Sequence, residues 1–214
     1  MAIMIGVVSQ KGGVGKSTLC RLIAREYAAS GWEVKIADLD VGQGTSYDWQ
    51  SRRLKSGVNP EIPVERFGSV GQALKHADGY DLMVFDGKPY ANAQTLEIAR
   101  ACDLLILPTG LSLDDMRPSV LLANELCQKG IPKANFAFAF CRVGDSKAEL
   151  SESHGYLVDA GYSVFDGALP EKTAYRRASD TGHTPTETRF HTLNQKADEL
   201  AQSIIDKITH AAKD

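Results

Sequence analysis

The chain has 214 residues, 43% hydrophobic and 24% charged, enough apolar material to bury a full core without metal or disulfide staples and consistent with one globular domain over 1–214. Its formal charge of −3 provides no global field toward nucleic acid or anionic membrane, so any such binding needs a local basic patch. No segment approaches the ~18 consecutive apolar residues of a membrane span, and "MAIMIGVVSQ" lacks the build of a cleaved leader, so a soluble, cytoplasmic chain is expected.

In chain order, the first β-rich run, "IMIGVVS", leads through "QKGGVGKST" into a helical pattern over 17–30. Glycine-rich sequence between a strand and a helix lets successive backbone N–H groups turn inward, and the helix N-terminus favours a bound phosphate. Gly12, Gly13, Val14, Gly15, Lys16, Ser17 and Thr18 are therefore candidate phosphate contacts, with Lys16 as the point charge and Ser17 as a hydroxyl ligand for Mg²⁺. The pattern departs from G-x-x-x-x-G-K-[ST] because Gln10 stands where the first glycine belongs and a second lysine, Lys11, follows it. A side chain at Lys11 leaves the loop before the cradle closes, so it points either across the mouth of the site or into solvent.

The second run, "EVKIADLD", ends on Asp38 and Asp40, and a polar stretch continues to Arg53. Asp38 reads as a supporting partner of the metal or loop, or as a turn cap. "YDLMVFDGKP" is an apolar strand closing on Asp86, the pattern of an acid that holds Mg²⁺ through water, with a mobile switch expected over Gly87–Tyr90. Then come a helix over 93–101, the run "DLLILPT", a helix over 113–129, the run "NFAFAFC" and a helix over 147–160. Gly31, Gly130 and Gly161 fall just past helical stretches, as caps should. Leu200, Ile204, Ile205 and Ile208 mark a closing helix packed on the core. Cys20, Cys102, Cys127 and Cys141 stand singly with no C-x-x-C pair, so they read as reduced core thiols and not as a metal or cluster site. Strands alternating with helices predict an α/β fold: a doubly wound, mainly parallel sheet with helices on both faces.

On Lys11, Gly12, Gly13, Lys16 and Ser17, matching K-G-G-x-x-K-[ST], the chain resembles the ParA/MinD family of P-loop ATPases, nearest to its small ParA-type partition proteins. The resemblance implies ATP and Mg²⁺ as cofactors and a homodimer formed face to face around two ATP molecules, with Lys11 reaching the partner's phosphates. It places Asp40 in the first switch, beside the metal, orienting or activating the attacking water. It puts Arg142 and Pro170 beside the adenine base, though Pro170 also reads as a plain turn residue. Lys172, Arg176 and Arg177, near one another at helical spacing, correspond to a patch for non-specific DNA; the alternative is an ordinary solvated helix. A ParB-like or other adaptor would stimulate hydrolysis, and the protein would be nucleoid-associated in its ATP state, with no membrane partner.

The chain departs from its relatives at Val41 and Gly42, where they carry Pro-Gln, and by an extra residue before Asp48 and Trp49. A MinD-like protein would want a basic amphipathic C-terminal helix, and an iron–sulfur carrier would want paired cysteines. With the first strand beginning almost at Met1, no helix-turn-helix for operator recognition is expected. Two alternatives remain: a positioning ATPase for a protein assembly, sharing every site residue, and an ATP-using ligase of the dethiobiotin-synthetase type, which keeps a conventional phosphate loop.

Overall fold

In the computed structural model, which describes residues 2–90 and 93–211, strands and helices alternate as the sequence predicts. The elements are β1 (Ile3–Ser9), α1 (Lys16–Ala29), β2 (Val34–Asp38), α2 (Thr45–Lys55), β3 (Val64–Arg66), α3 (Val70–Leu74), β4 (Leu82–Pro89) and α4 (Ala93–Ala101). They continue as β5 (Leu104–Thr109), α5 (Leu113–Gln128), β6 (Phe136–Val143), α6 (Lys147–Asp159), β7 (Leu169–Pro170), α7 (Thr173–Asp180) and α8 (His191–Ala211). The strands form one sheet in the order β3-β2-β4-β1-β5-β6-β7, every pair parallel.

Both faces of the sheet are covered, and side-chain alternation sorts the core accordingly. Within β4, Leu82 and Val84 face α1, α2 and α8, where Leu19, Ile23, Trp49, Leu200 and Ile204 are buried. Met83 and Phe85 face the other layer, with Ile98 of α4 and Leu122 and Leu126 of α5. The central strands are apolar throughout because neither face meets water.

Three strands depart from the expected pattern. β3 and β7 are short edge strands, too brief to show a period, and they exist because β2 and β6 would otherwise leave open edges. β4 runs through Pro89, which pairs with Ser9 after an irregularity between Val7 and Ser9. The segment expected as a loose second switch thus begins as strand. Tyr90 follows at φ 71, exposed over 72% of its surface.

Gly31, Gly130 and Gly161 have φ of 87°, 86° and 78°, as helix punctuation requires. Cys20, Cys102 and Cys141 are buried and Cys127 is half-buried, all four as free thiols. Among the described residues no helix is long and apolar enough to cross a membrane. With β1 flanked by β4 and β5, the loop leaving β1 opens at the carboxyl edge of the sheet where the strand order reverses, the position at which open α/β sheets form a crevice.

Candidate functional site

Gly15 starts helix α1 at φ 108, and the first helical bond runs from the Leu19 N–H to the Gly15 carbonyl at 2.9 Å. The N–H groups of Lys16, Ser17 and Thr18 therefore have no partner within the helix, and no side chain caps them. A Cβ on Gly15 would lie 3.0 Å from Cβ of Cys141 on β6, so only glycine lets the loop lie this close to the sheet.

The two lysines of the loop face different ways. Lys16 is buried, its Nζ donating to Ser9 Oγ at 3.2 Å and to the Lys11 carbonyl at 3.3 Å. Burial lowers its pKa, while the charges of Asp86, Cys20 and Asp40 pull in the other direction. Lys11 sits at the rim, and its Nζ bonds Asp115 Oδ1 at 3.0 Å. Asp115 also accepts from Ser112 Oγ at 2.9 Å, within the first turn of α5. Burial raises the Asp115 pKa, but the bonds from Lys11 and Ser112 outweigh it and hold the carboxyl below its usual range.

A cleft of about 610 Å³ gathers most of the predicted residues: Gly12, Gly13, Gly15, Lys16, Ser17, Thr18, Asp40, Asp86, Arg142 and Pro170. Val14 is buried behind it beside an adjoining hollow that also includes Asp115. Asp86 is buried at the end of its apolar run and accepts from Ser46 Oγ at 2.7 Å. Asp38, also buried, accepts from the N–H groups of Asp40, Ser46 and Tyr47, which joins β2 to the start of α2. Burial, and then the charge of Asp86, push Asp38 up to about 6. Of the two readings for Asp38, these bonds describe the cap. Asp40 is half-buried on the cleft wall and accepts from the Gln43 N–H at 3.3 Å, and Val41 beside it is exposed. Ser17 Oγ lies 3.0 Å from Thr45 Oγ1 at the first residue of α2.

On the opposite wall Arg142 adopts φ 58, left-handed for a bulky residue, and its guanidinium spans two elements. It donates to Glu171 Oε2 at 2.7 Å and to the Gly13 carbonyl at 2.9 Å, tying the loop to the segment after β7. Pro170 is buried within β7. Of the three basic residues after it, Arg176 and Arg177 separate. Lys172 and Arg176 line the cleft, where Lys172 pairs with Asp145 at 2.8 Å and Arg176 pairs with Glu171. Arg177 turns outward to a second groove of about 780 Å³, which it shares with Arg189 and Phe190 and which Lys172 also borders.

The donor set fits a polyphosphate: free N–H groups at a helix start, a desolvated ammonium, and small residues that admit the ligand. It also fits a hard divalent cation. No three His, Cys, Asp or Glu side chains among the described residues group to hold a metal alone. That suits an ion bound by one or two carboxylates plus a hydroxyl, phosphate oxygens and water, as Asp86, Asp40 and Ser17 can supply. Sequence reasoning missed Arg21, Thr45, Ser46 and Asp115. Only Arg21 left a signal, a charge within the otherwise apolar "LCRLIA" of a buried helix.

Residues 5–186 match the model of the family described as the CobQ/CobB/MinD/ParA nucleotide binding domain. The chain is 24% identical to the chromosome-partitioning ATPase Soj of Thermus thermophilus, over 92% of this chain and 94% of that protein. It is 22% identical to protein ParA of Rhizobium radiobacter, over 98% and 99%. Its fold superposes on the septum site-determining protein MinD of Pyrococcus horikoshii, solved with Mg-ADP, with a TM-score of 0.77 and 16% identity over the full length of both chains.

Proposed function

This chain belongs to the CobQ/CobB/MinD/ParA nucleotide-binding domain family, and from that premise we propose that it is a Mg²⁺-dependent ATPase that partitions or positions a cargo. In this reading it forms a homodimer around ATP and, in that state, binds DNA without sequence preference. The observation that carries the reading is the opposed placement of two neighbouring lysines: Lys16 is buried beside Ser9, and Lys11 stands at the rim on Asp115.

Lys16 and the free N–H groups of the first turn of α1 hold the β and γ phosphates. Ser17 and Asp86 would hold Mg²⁺, with Asp40 beside them, and the ion would supply positive charge to the phosphate oxygens. Asp40 accepts a hydrogen bond from the attacking water and so aligns it. Lys11, on leaving Asp115, offsets charge at the partner subunit's phosphates, which makes hydrolysis wait on dimerisation. Arg142 and Pro170 flank the base. Lys172, Arg176 and Arg177, doubled across the dimer, meet DNA phosphates. A ParB-like adaptor stimulates turnover and releases the DNA, leaving the protein cytoplasmic and nucleoid-associated only while ATP is bound.

The test is binding to sequence-unrelated duplex DNA at fixed salt, with Mg²⁺·ATP against Mg²⁺·ADP, using Asp40→Ala to hold the ATP state. Binding is expected with ATP alone, and Lys11→Ala should abolish both it and the dimer. An ATP-dependent dimer that ignores DNA would transfer the cargo role to a protein assembly. No ATP-dependent dimer would overturn the reading.

A further inference from the structure

Arg21 and Ser179 also line the cleft, yet the proposed reaction gives neither of them a task. Arg21 is buried, and its guanidinium bridges two hydroxyls: Nε donates to Ser46 Oγ at 3.2 Å and Nη1 donates to Ser179 Oγ at 3.2 Å. Arginine can only donate, so the single proton of Ser46 is committed elsewhere, to Asp86 Oδ2 at 2.7 Å. The order Asp86–Ser46–Arg21–Ser179 thus has a fixed donor direction at its Ser46 and Arg21 links, and it ends on α7.

Helix α7 is suited to respond. None of its residues is fully buried, and apart from Tyr175, which packs against the core, polar tethers hold it. One tether of α7 and one of the turn that follows it run to α2, the helix that carries Ser46. Arg52 Nε donates to the Ser179 carbonyl at 3.2 Å and Arg53 Nη1 to the Gly182 carbonyl at 2.9 Å. A Cβ on Gly182 would lie 2.2 Å from the Arg53 backbone, so the end of α7 lies flush on α2. One side of α7 presents Arg176 to the cleft and the other presents Arg177 to the outer groove.

We propose that Ser46 is a positioning residue that orients Asp86 for the metal and, through Arg21 and Ser179, ties loading of the metal–nucleotide site to helix α7. The inference rests on the nucleotide reading above. A cation on the other carboxylate oxygen, Asp86 Oδ1, draws charge from Oδ2 and so frees the Ser46 hydroxyl to turn. When the hydroxyl turns, Arg21 must follow or lose its acceptor, and Ser179 lies at its other end. What is bound at Asp86 thereby changes the tethering of α7.

Two readouts test it on the full chain. The first is the Mg²⁺ concentration needed to bind a fluorescent non-hydrolysable ATP analogue. Ser46→Ala should raise it about tenfold, as loss of a partner supporting a metal ligand does, and Ser46→Thr should restore it. The second is hydrogen exchange of residues 173–180, compared between Mg²⁺-free ADP and Mg²⁺ with the analogue. The parent should show a difference, and Ser179→Ala should lose it while keeping the parental Mg²⁺ requirement. Should Ser46→Ala fail to fold by circular dichroism, Ser179→Ala decides alone. Variants that respond as the parent does, or a parent that binds the analogue while α7 exchange is indifferent to Mg²⁺, overturn the relay and leave the nucleotide reading standing. A parent that binds no nucleotide overturns both.

Discussion

Lys11 and Asp115 show how much a single contact can decide at residue scale. Each side chain is more than a third exposed, so the pair contributes at most ~1 kcal/mol to stability. Asp115→Ala should therefore leave the urea midpoint nearly unchanged. It should still lower the protein concentration at which ATP drives dimerisation, because Lys11 no longer has a partner to leave. Sedimentation velocity across a concentration series checks this, and an unchanged midpoint of association would remove Lys11 from the interface. The thiols allow a second check. Burial raises the pKa of Cys20 and Cys102 and pushes Cys141 up to about 12, which leaves almost no thiolate at neutral pH. A thiol reagent at pH 8 should modify half-buried Cys127 first and the other three only after unfolding. That Lys16, Ser17 and Asp86 share one cleft was legible in the sequence, because a loop and a strand end set them by local spacing. Ser46 and Asp115 were not, since Ser46 meets Asp86 across 40 residues and Asp115 meets Lys11 across 104.

Between elements, the decisive contact is the clamp that fixes α2 to the turn before α8. Arg53 is fully buried and pairs with Glu187 through two bonds, at 2.8 and 2.9 Å. Burial raises the Glu187 pKa, but the bonds from Arg53 and Thr184 prevail and hold it below the ordinary 4.5. A depressed carboxyl adds stability that is complete above the unfolded pKa and is lost as pH falls through the folded one. Glu187→Gln should therefore cost roughly 3–5 kcal/mol at pH 7 in urea unfolding, since it leaves a buried guanidinium unpaired. The deficit should shrink below about pH 4.5, as the parent loses the same charge. Gly15→Ala tests another junction. Its φ of 108 and the nearby Cys141 should strain the loop by about 1–3 kcal/mol, leaving a folded protein with weakened affinity for an ATP analogue. Long strands and helices were legible from periodicity. β3, β7 and the extension of β4 through Pro89 were not, because pairing with neighbours, and not local pattern, makes them strands.

For the molecule as a whole, a net charge of −3 leaves any polyanion to be held by local groups. Glu171 and Asp145 already neutralise Arg176 and Lys172, whereas Arg177 is exposed on the outer groove beside Arg189. Arg177→Ala should accordingly weaken ATP-dependent DNA binding more than Arg176→Ala and reduce the salt slope by about 1 for each DNA phosphate left without its cation. A larger loss with Arg176→Ala would place the DNA face on the cleft side of α7. The sequence by itself determined the α/β alternation, the glycine-rich loop between β1 and α1 and the strand-ending Asp86, because each is written within a few consecutive residues whose geometry follows from local backbone physics. Only the tertiary structure decided that Lys11 rests on Asp115, that Asp86 is held by Ser46 and that α7 divides its basic residues between two grooves. Those outcomes depend on which distant segments the parallel sheet brings together at its carboxyl edge, and no local spacing encodes that.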